Sequence, residues 1–153
     1  LDPGDYSIKV YVDDQPDTLR GTFKVVYQYD VAVWQISQPT SAVTYVEGAP
    51  ITVKASFKNL GSKVSNDVNW NVVNVNGTEL LPSQQLPSMD HDSVVSDQWQ
   101  QSVMLPMGYI GLQTLYVRLN MAKDEHKADN VDSVRINILP AYNPAAEFEN
   151  LEE

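Results

Sequence analysis

The 153-residue sequence contains no cysteine. Disulfide staples and thiolate metal sites are therefore excluded. Basic groups are scarce: 10 Lys and Arg stand against 20 Asp and Glu, for a formal net charge of -10. Such a surface does not suit nucleic acid, whose phosphates need a basic face, nor docking on anionic lipid. No apolar run reaches the roughly 20 residues of a spanning helix, so no membrane insertion is expected. No signal peptide is legible. The chain starts at Leu1-Asp2-Pro3-Gly4 without Met, which reads as a fragment of a longer polypeptide with any export signal upstream. There is no Gly-rich phosphate loop and no nucleophile elbow, and only two histidines. No catalytic constellation results, and the chain is not read as an enzyme.

What the sequence has is alternation. In Pro50 to Gly61, Ile51, Val53, Ala55 and Phe57 are apolar, and Thr52, Lys54, Ser56 and Lys58 between them are polar. Period two marks a strand with one buried and one wet face. Asn59-Leu60-Gly61 then reads as a turn, because Asn and Gly tolerate positive φ. Further strands are expected at Tyr29 to Ser37, Asn66 to Val75, Val94 to Leu105, Gly111 to Asn120 and Val131 to Leu139. Trp70 and Trp99 are read as core residues. Asn76-Gly77 predicts a type I′ hairpin leading to a short strand over Thr78 to Leu81. Pro82 to Asp92 is read as a polar loop and Met121 to Asn130 as an acidic one.

Residues 1–28 read as a β-hairpin, which is marginal in water unless something covers it. Its opening, Leu1-Asp2-Pro3-Gly4-Asp5-Tyr6, echoes Leu105-Pro106-Met107-Gly108-Tyr109, and each precedes an alternating strand, a loop and a closing strand. The hairpin is accordingly the end of a preceding module, or else strands added to one larger sandwich. Residues 29–140 form the main domain, and 141–153 a linker or tail. The expected fold is an all-β, immunoglobulin-like antiparallel sandwich of about seven strands with an extra N-terminal hairpin.

Several stretches resemble the bacterial cell-adhesion-related (CARDB-like) domain. They are Asp30-Val31-Ala32-Val33, Pro50-Ile51-Thr52-Val53, Phe57-Lys58-Asn59-Leu60-Gly61, the Val68/Trp70/Val72 strand with Asn76-Gly77, Gly111 to Val117, and Asp124 to Asn130. The family has acidic residues and an Asn pair in that last loop, where this chain has the single Asn130 beside Asp129. The resemblance covers about two-thirds of the chain and its motifs are structural. It implies a non-catalytic adhesion or spacer module of a bacterial surface or secreted protein, located outside the cell. Its implied partners are neighbouring domains of the same polypeptide, with a host or cell-surface protein or a glycan as further candidates. The alternative is a carbohydrate-binding module, which would need Tyr11, Tyr116 or Trp34 exposed and aligned.

Asp124, Glu125, Asp129, Asn130 and Asp132 supply oxygen ligands of the kind calcium takes, without the spacing of an EF-hand. A solvated acidic turn is the competing account, and no cofactor other than calcium is expected. Asp90, Asp92 and Asp97 form a second acidic patch around His91. His91 and His126 lie on different connections, so a shared zinc site requires the fold to bring those connections together. His126 beside Asp124 is a candidate general base.

Overall fold

The computed structural model describes residues 1–11, 18–41, 43–96 and 100–141. Asp97, Trp99 and nearly all of the 141–153 tail lie outside them.

The central alternating stretch forms β5 (Ile51–Asn59), whose burial alternates along its whole length. Its inward residues pack against β6 (Asn69–Asn74), β10 (Gly111–Asn120) and β11 (Val131–Leu139). Phe57 and Trp70 are both fully buried, and their rings meet at 5.3 Å with a 51° tilt. Each such side chain contributes about 1.5–3 kcal/mol through burial. One sheet runs in the order β4-β11-β10-β6-β7, with β4 at Thr44–Val46 and β7 at Glu79–Gln85. The facing sheet pairs β5 with β3 (Val31–Gln38) on one side. On its other side β5 pairs with β8 (Val94–Val95) and then β9 (Gln100–Val103). The fold is the expected all-β sandwich. It has nine strands from β3 to β11 among the described residues, two of them only two or three residues long.

Three local expectations change. β7 continues through Pro82 to Gln85, where a polar loop was expected. It is an edge strand, and an edge tolerates a residue without an N–H. The Asn76-Gly77 turn is not type I′. Positive φ occurs at Gly77 but not at Asn76. Gly77 N donates to Asn74 O, and the Asn74 side-chain oxygen accepts from the amides of Asn76 and Thr78. The third change is β4, a parallel partner of β11 for which alternation gives no sign.

The N-terminal strands β1 (Gly4–Tyr11) and β2 (Thr18–Val25) form a sheet of their own. None of their described side chains is buried. Tyr6 stacks on Phe23 at 5.5 Å, and Ile8 and Val10 follow on the same strand with about half their surface in solvent. Among the described residues no helix is long and apolar enough to cross a membrane.

Candidate functional site

The hairpin meets the sandwich through the segment Val26 to Asp30, and this connector is held from two sides. On one side is the loop after β5. Leu60 N and Gly61 N both donate to Asp30 O, Ser62 N donates to Tyr27 O, and Lys63 N donates to Gln28 O. Asn59, fully buried, builds that loop. Its Nδ2 donates to Lys63 O and Met89 O at 2.8 and 2.9 Å, and its Oδ1 accepts from Gly61 N. Gly61 does not have the positive φ expected of a turn glycine. It is required for another reason. A Cβ there would stand 2.5 Å from Gln28 O and 2.8 Å from Asp30 N, both backbone atoms.

The second side is the β10–β11 loop. Glu125 Oε2 accepts from Gln28 N at 2.8 Å and from Tyr29 N at 3.4 Å, while Glu125 N donates to Tyr29 O. Asp124 is buried, and its Oδ2 accepts from Val31 N at 3.2 Å and from Asn130 Nδ2 at 3.1 Å. Its Oδ1 accepts from His126 N. The loop contains a 3-10 turn over Lys127–Asp129, which returns Asp129 toward the connector.

This arrangement places each of the five calcium candidates. Both Asp124 oxygens and Glu125 Oε2 accept from amides of the connector, of the start of β3 or of their own loop, and Asn130 donates its Nδ2 to Asp124 while its buried Oδ1 has no hydrogen-bond partner. Asp132 is exposed on β11 and accepts from Ser133 N. Asp129 alone among the five joins a cluster of cation-ligating side chains, together with Asp30 and His126. One donor atom from each of these three lies within 4.8 Å of the others. His126 Nδ1 is 4.0 Å from Asp30 Oδ1 and 3.4 Å from Asp129 Oδ2. The ring of Tyr27 stacks on that of His126 at 5.4 Å and 15°, fixing its plane. The His126 ring thus faces Asp30 and Asp129 rather than Asp124.

Asp30 is marked in the sequence only as the opening of a family-like stretch and not as a candidate ligand. It is only 6% exposed, and its Oδ1 has no hydrogen-bond partner. Burial pushes its carboxyl up to about 6, and the negative charges of Asp129 and Asp124 add to the effect, against His126. The Asp129 carboxyl is also raised, again chiefly by burial.

The connections bearing His91 and His126 do come together, lining one cleft of about 700 Å³ between the hairpin base and the sandwich. Gly4, Lys24 and Tyr27 form one wall of it, and Asp30, His126 and Asp129 part of the other. His91 itself is engaged elsewhere, with Nδ1 2.6 Å from Gly61 O. Asp92, from the second acidic patch, pairs with Lys58 at 2.6 Å, and that hydrogen bond lowers its carboxyl below the usual range. Of the aromatics, Trp34 is 53% and Tyr11 76% exposed. The Lys58 ammonium sits 4.6 Å over the Trp34 ring. Among the described residues no ring stacks beside Trp34, Tyr11 or Tyr116.

No family model and no curated protein matches the sequence. Solved structures do match. The CARDB domain of the PF1109 protein from Pyrococcus furiosus, a crystal structure in complex with di-metal ions, superposes with a TM-score of 0.58 at 14% identity. The match covers 75% of this chain and 93% of that one. The solution structure of the same domain gives a TM-score of 0.56 at 16% identity, covering 74% and 97%. A domain (272-376) assigned to a cell surface protein of Methanosarcina acetivorans gives 0.54 at 17% identity, covering 72% and 92%. The chain has the CARDB-like fold.

Proposed function

We propose that this chain is a non-catalytic spacer or adhesion module of a larger cell-surface or secreted protein, holding neighbouring domains of one polypeptide at a fixed geometry. The observation that carries this is the clamped connector. Backbone hydrogen bonds from the Leu60–Lys63 loop and the Glu125 carboxylate fix the segment between two β units. A linker built for free movement leaves its backbone in solvent. The hairpin is the closing pair of a preceding sandwich. Tyr6, Ile8, Val10 and Phe23 give it an apolar face with no buried residue, the kind of face a second sheet covers. The surface assignment of the Methanosarcina domain supports an extracellular location. The metal ions of the Pyrococcus domain bring cation binding within what this fold accommodates.

Residual dipolar couplings test the spacer reading. Amides of β1 and β2 and amides of the sandwich are expected to fit one alignment tensor. In Glu125→Ala, which removes one side of the clamp, they are expected to need two. Two independent tensors in the wild-type chain refute a rigid joint.

A further inference from the structure

The geometry points to a divalent transition-metal site, of the class that takes Zn²⁺, formed by Asp30 Oδ1, His126 Nδ1 and an Asp129 carboxylate oxygen at the base of the connector. Three observations carry it. First, the donors already converge: two separations are 3.4 and 4.0 Å and all are within 4.8 Å. A four-coordinate ion with bonds of roughly 2.1 Å spaces its ligands by about 3.4 Å, so modest closure suffices.

Second, the cluster is short of positive charge where burial makes that expensive. Asp30 has a side chain nine-tenths buried, and its Oδ1 aims into the cluster without a hydrogen-bond donor. Oδ1 of Asp129 is also buried without one. Among the described residues, His126 is the one basic group within ion-pairing distance of either carboxylate. A buried carboxylate is costly unless paired or bound to a metal. Neighbouring Asp124 shows what a satisfied carboxylate in the same loop looks like, with three donors on its two oxygens.

Third, the donor set selects the metal class. Calcium takes six to eight oxygen ligands, and this pocket offers two carboxylates and an imidazole. One nitrogen with two carboxylates suits zinc and its first-row neighbours, with the remaining position open to water. The Tyr27 ring presents His126 in a fixed plane. A bound ion cross-links the start of β3 to the β10–β11 loop and so adds a tether beside those from Glu125 and Asp124. The site does not depend on the spacer reading, since the cluster binds or fails to bind whatever the parent protein does.

The test is titration of the EDTA-stripped chain with ZnCl₂ at pH 7.5 by calorimetry, with thermal melts in Zn²⁺ and in Ca²⁺. One equivalent of Zn²⁺ is expected to bind and to raise the melting temperature, because a ligand of the folded state stabilises it. Ca²⁺ at the same concentration is expected to give no rise. Asp30→Asn, His126→Gln and Asp129→Asn are each expected to weaken zinc by at least tenfold, while Asp132→Asn leaves it unchanged. His126→Gln alters a partly exposed side chain, so its loss of binding is separable from misfolding. Absence of saturable zinc binding overturns the site, as does undiminished binding in Asp30→Asn or His126→Gln. A calcium rise equal to that with zinc overturns the metal class.

Discussion

Gly61→Ala is the sharpest perturbation of the connector. The added methyl carbon would stand 2.5 Å from Gln28 O, 2.8 Å from Asp30 N and 3.0 Å from Gln28 C. All three are backbone atoms, so no side chain can swing aside to relieve the contact. Either the Leu60–Lys63 loop or the connector must move. Moving either strains four hydrogen bonds, from Leu60, Gly61, Ser62 and Lys63 to the connector carbonyls. Overpacking a tight site costs roughly 1–3 kcal/mol. Losing one or two net hydrogen bonds adds about 0.5–1.5 kcal/mol each. A destabilisation of about 1.5–6 kcal/mol follows. Gly77→Ala is the matched control, since a Cβ at Gly77 meets nothing within 4 Å and its φ is +79°. Only the left-handed conformation opposes it, at about 1–2 kcal/mol. Urea unfolding of both variants at constant m measures the difference. Gly61→Ala within 0.5 kcal/mol of wild type refutes the close-approach argument, and so does Gly77→Ala being the worse of the two.

Two further outcomes follow from the core and from Asp30. Phe57→Ala removes a ring packed on Trp70 with no solvent exposure, and the expected loss is about 3–5 kcal/mol. An unchanged melting temperature would sink the assignment of β5 as the central strand. Asp30 gives a pH signature in EDTA. Its carboxyl titrates near 6 in the folded chain, against the ordinary value of 3.8. The folded state therefore holds the proton longer than the unfolded state. The stability this permits is fully present below pH 3.8 and is lost as pH rises through about 6. Asp30→Asn lacks that loss, so its stability relative to wild type is expected to climb between pH 4 and 7. A flat difference across that range refutes the burial of the carboxylate.

The fold was legible where alternation was strict. β10 and β11 lie where Gly111 to Asn120 and Val131 to Leu139 predicted them, and β5 matches its pattern residue by residue. Alternation failed at the edges. β7 carries Pro82 along an open edge, and β4 is too short to show a period. Val94 to Leu105 reads as one strand but is two, β8 and β9, each paired with a different part of β5. The candidate site was half legible. The acidic loop is visible in sequence because its charges are adjacent. Asp30 is a lone acid ahead of a strand, and the partner that shows its importance comes from a loop more than ninety residues away. Val31 and Asp124, which join the same two segments, are 93 residues apart. The role of Gly61 was misassigned for a related reason. A turn glycine and a close-approach glycine look alike in sequence, and only the backbone of Gln28 and Asp30 against it tells them apart.

Asp124 and Asp30 sit at the same junction with the same exposure of 6%, yet their oxygens meet opposite circumstances. Asp124 accepts from Val31 N, His126 N and Asn130 Nδ2, so its charge is answered by fixed donors. That accounts for its place in the clamp without any ion. Asp30 has its backbone oxygen answered twice, by Leu60 N and Gly61 N, while its side-chain Oδ1 has no donor. The backbone of Asp30 therefore belongs to the clamp and its carboxylate does not. Asn would serve the clamp as well and would not bring a charge into the interior. An acid at that point faces a second acid and, at 4.0 Å, the His126 imidazole, an arrangement that a cation would complete. The joint and the metal site thus share one residue but use different atoms of it, which is why Asp30→Asn separates them: the clamp stays and the ion goes.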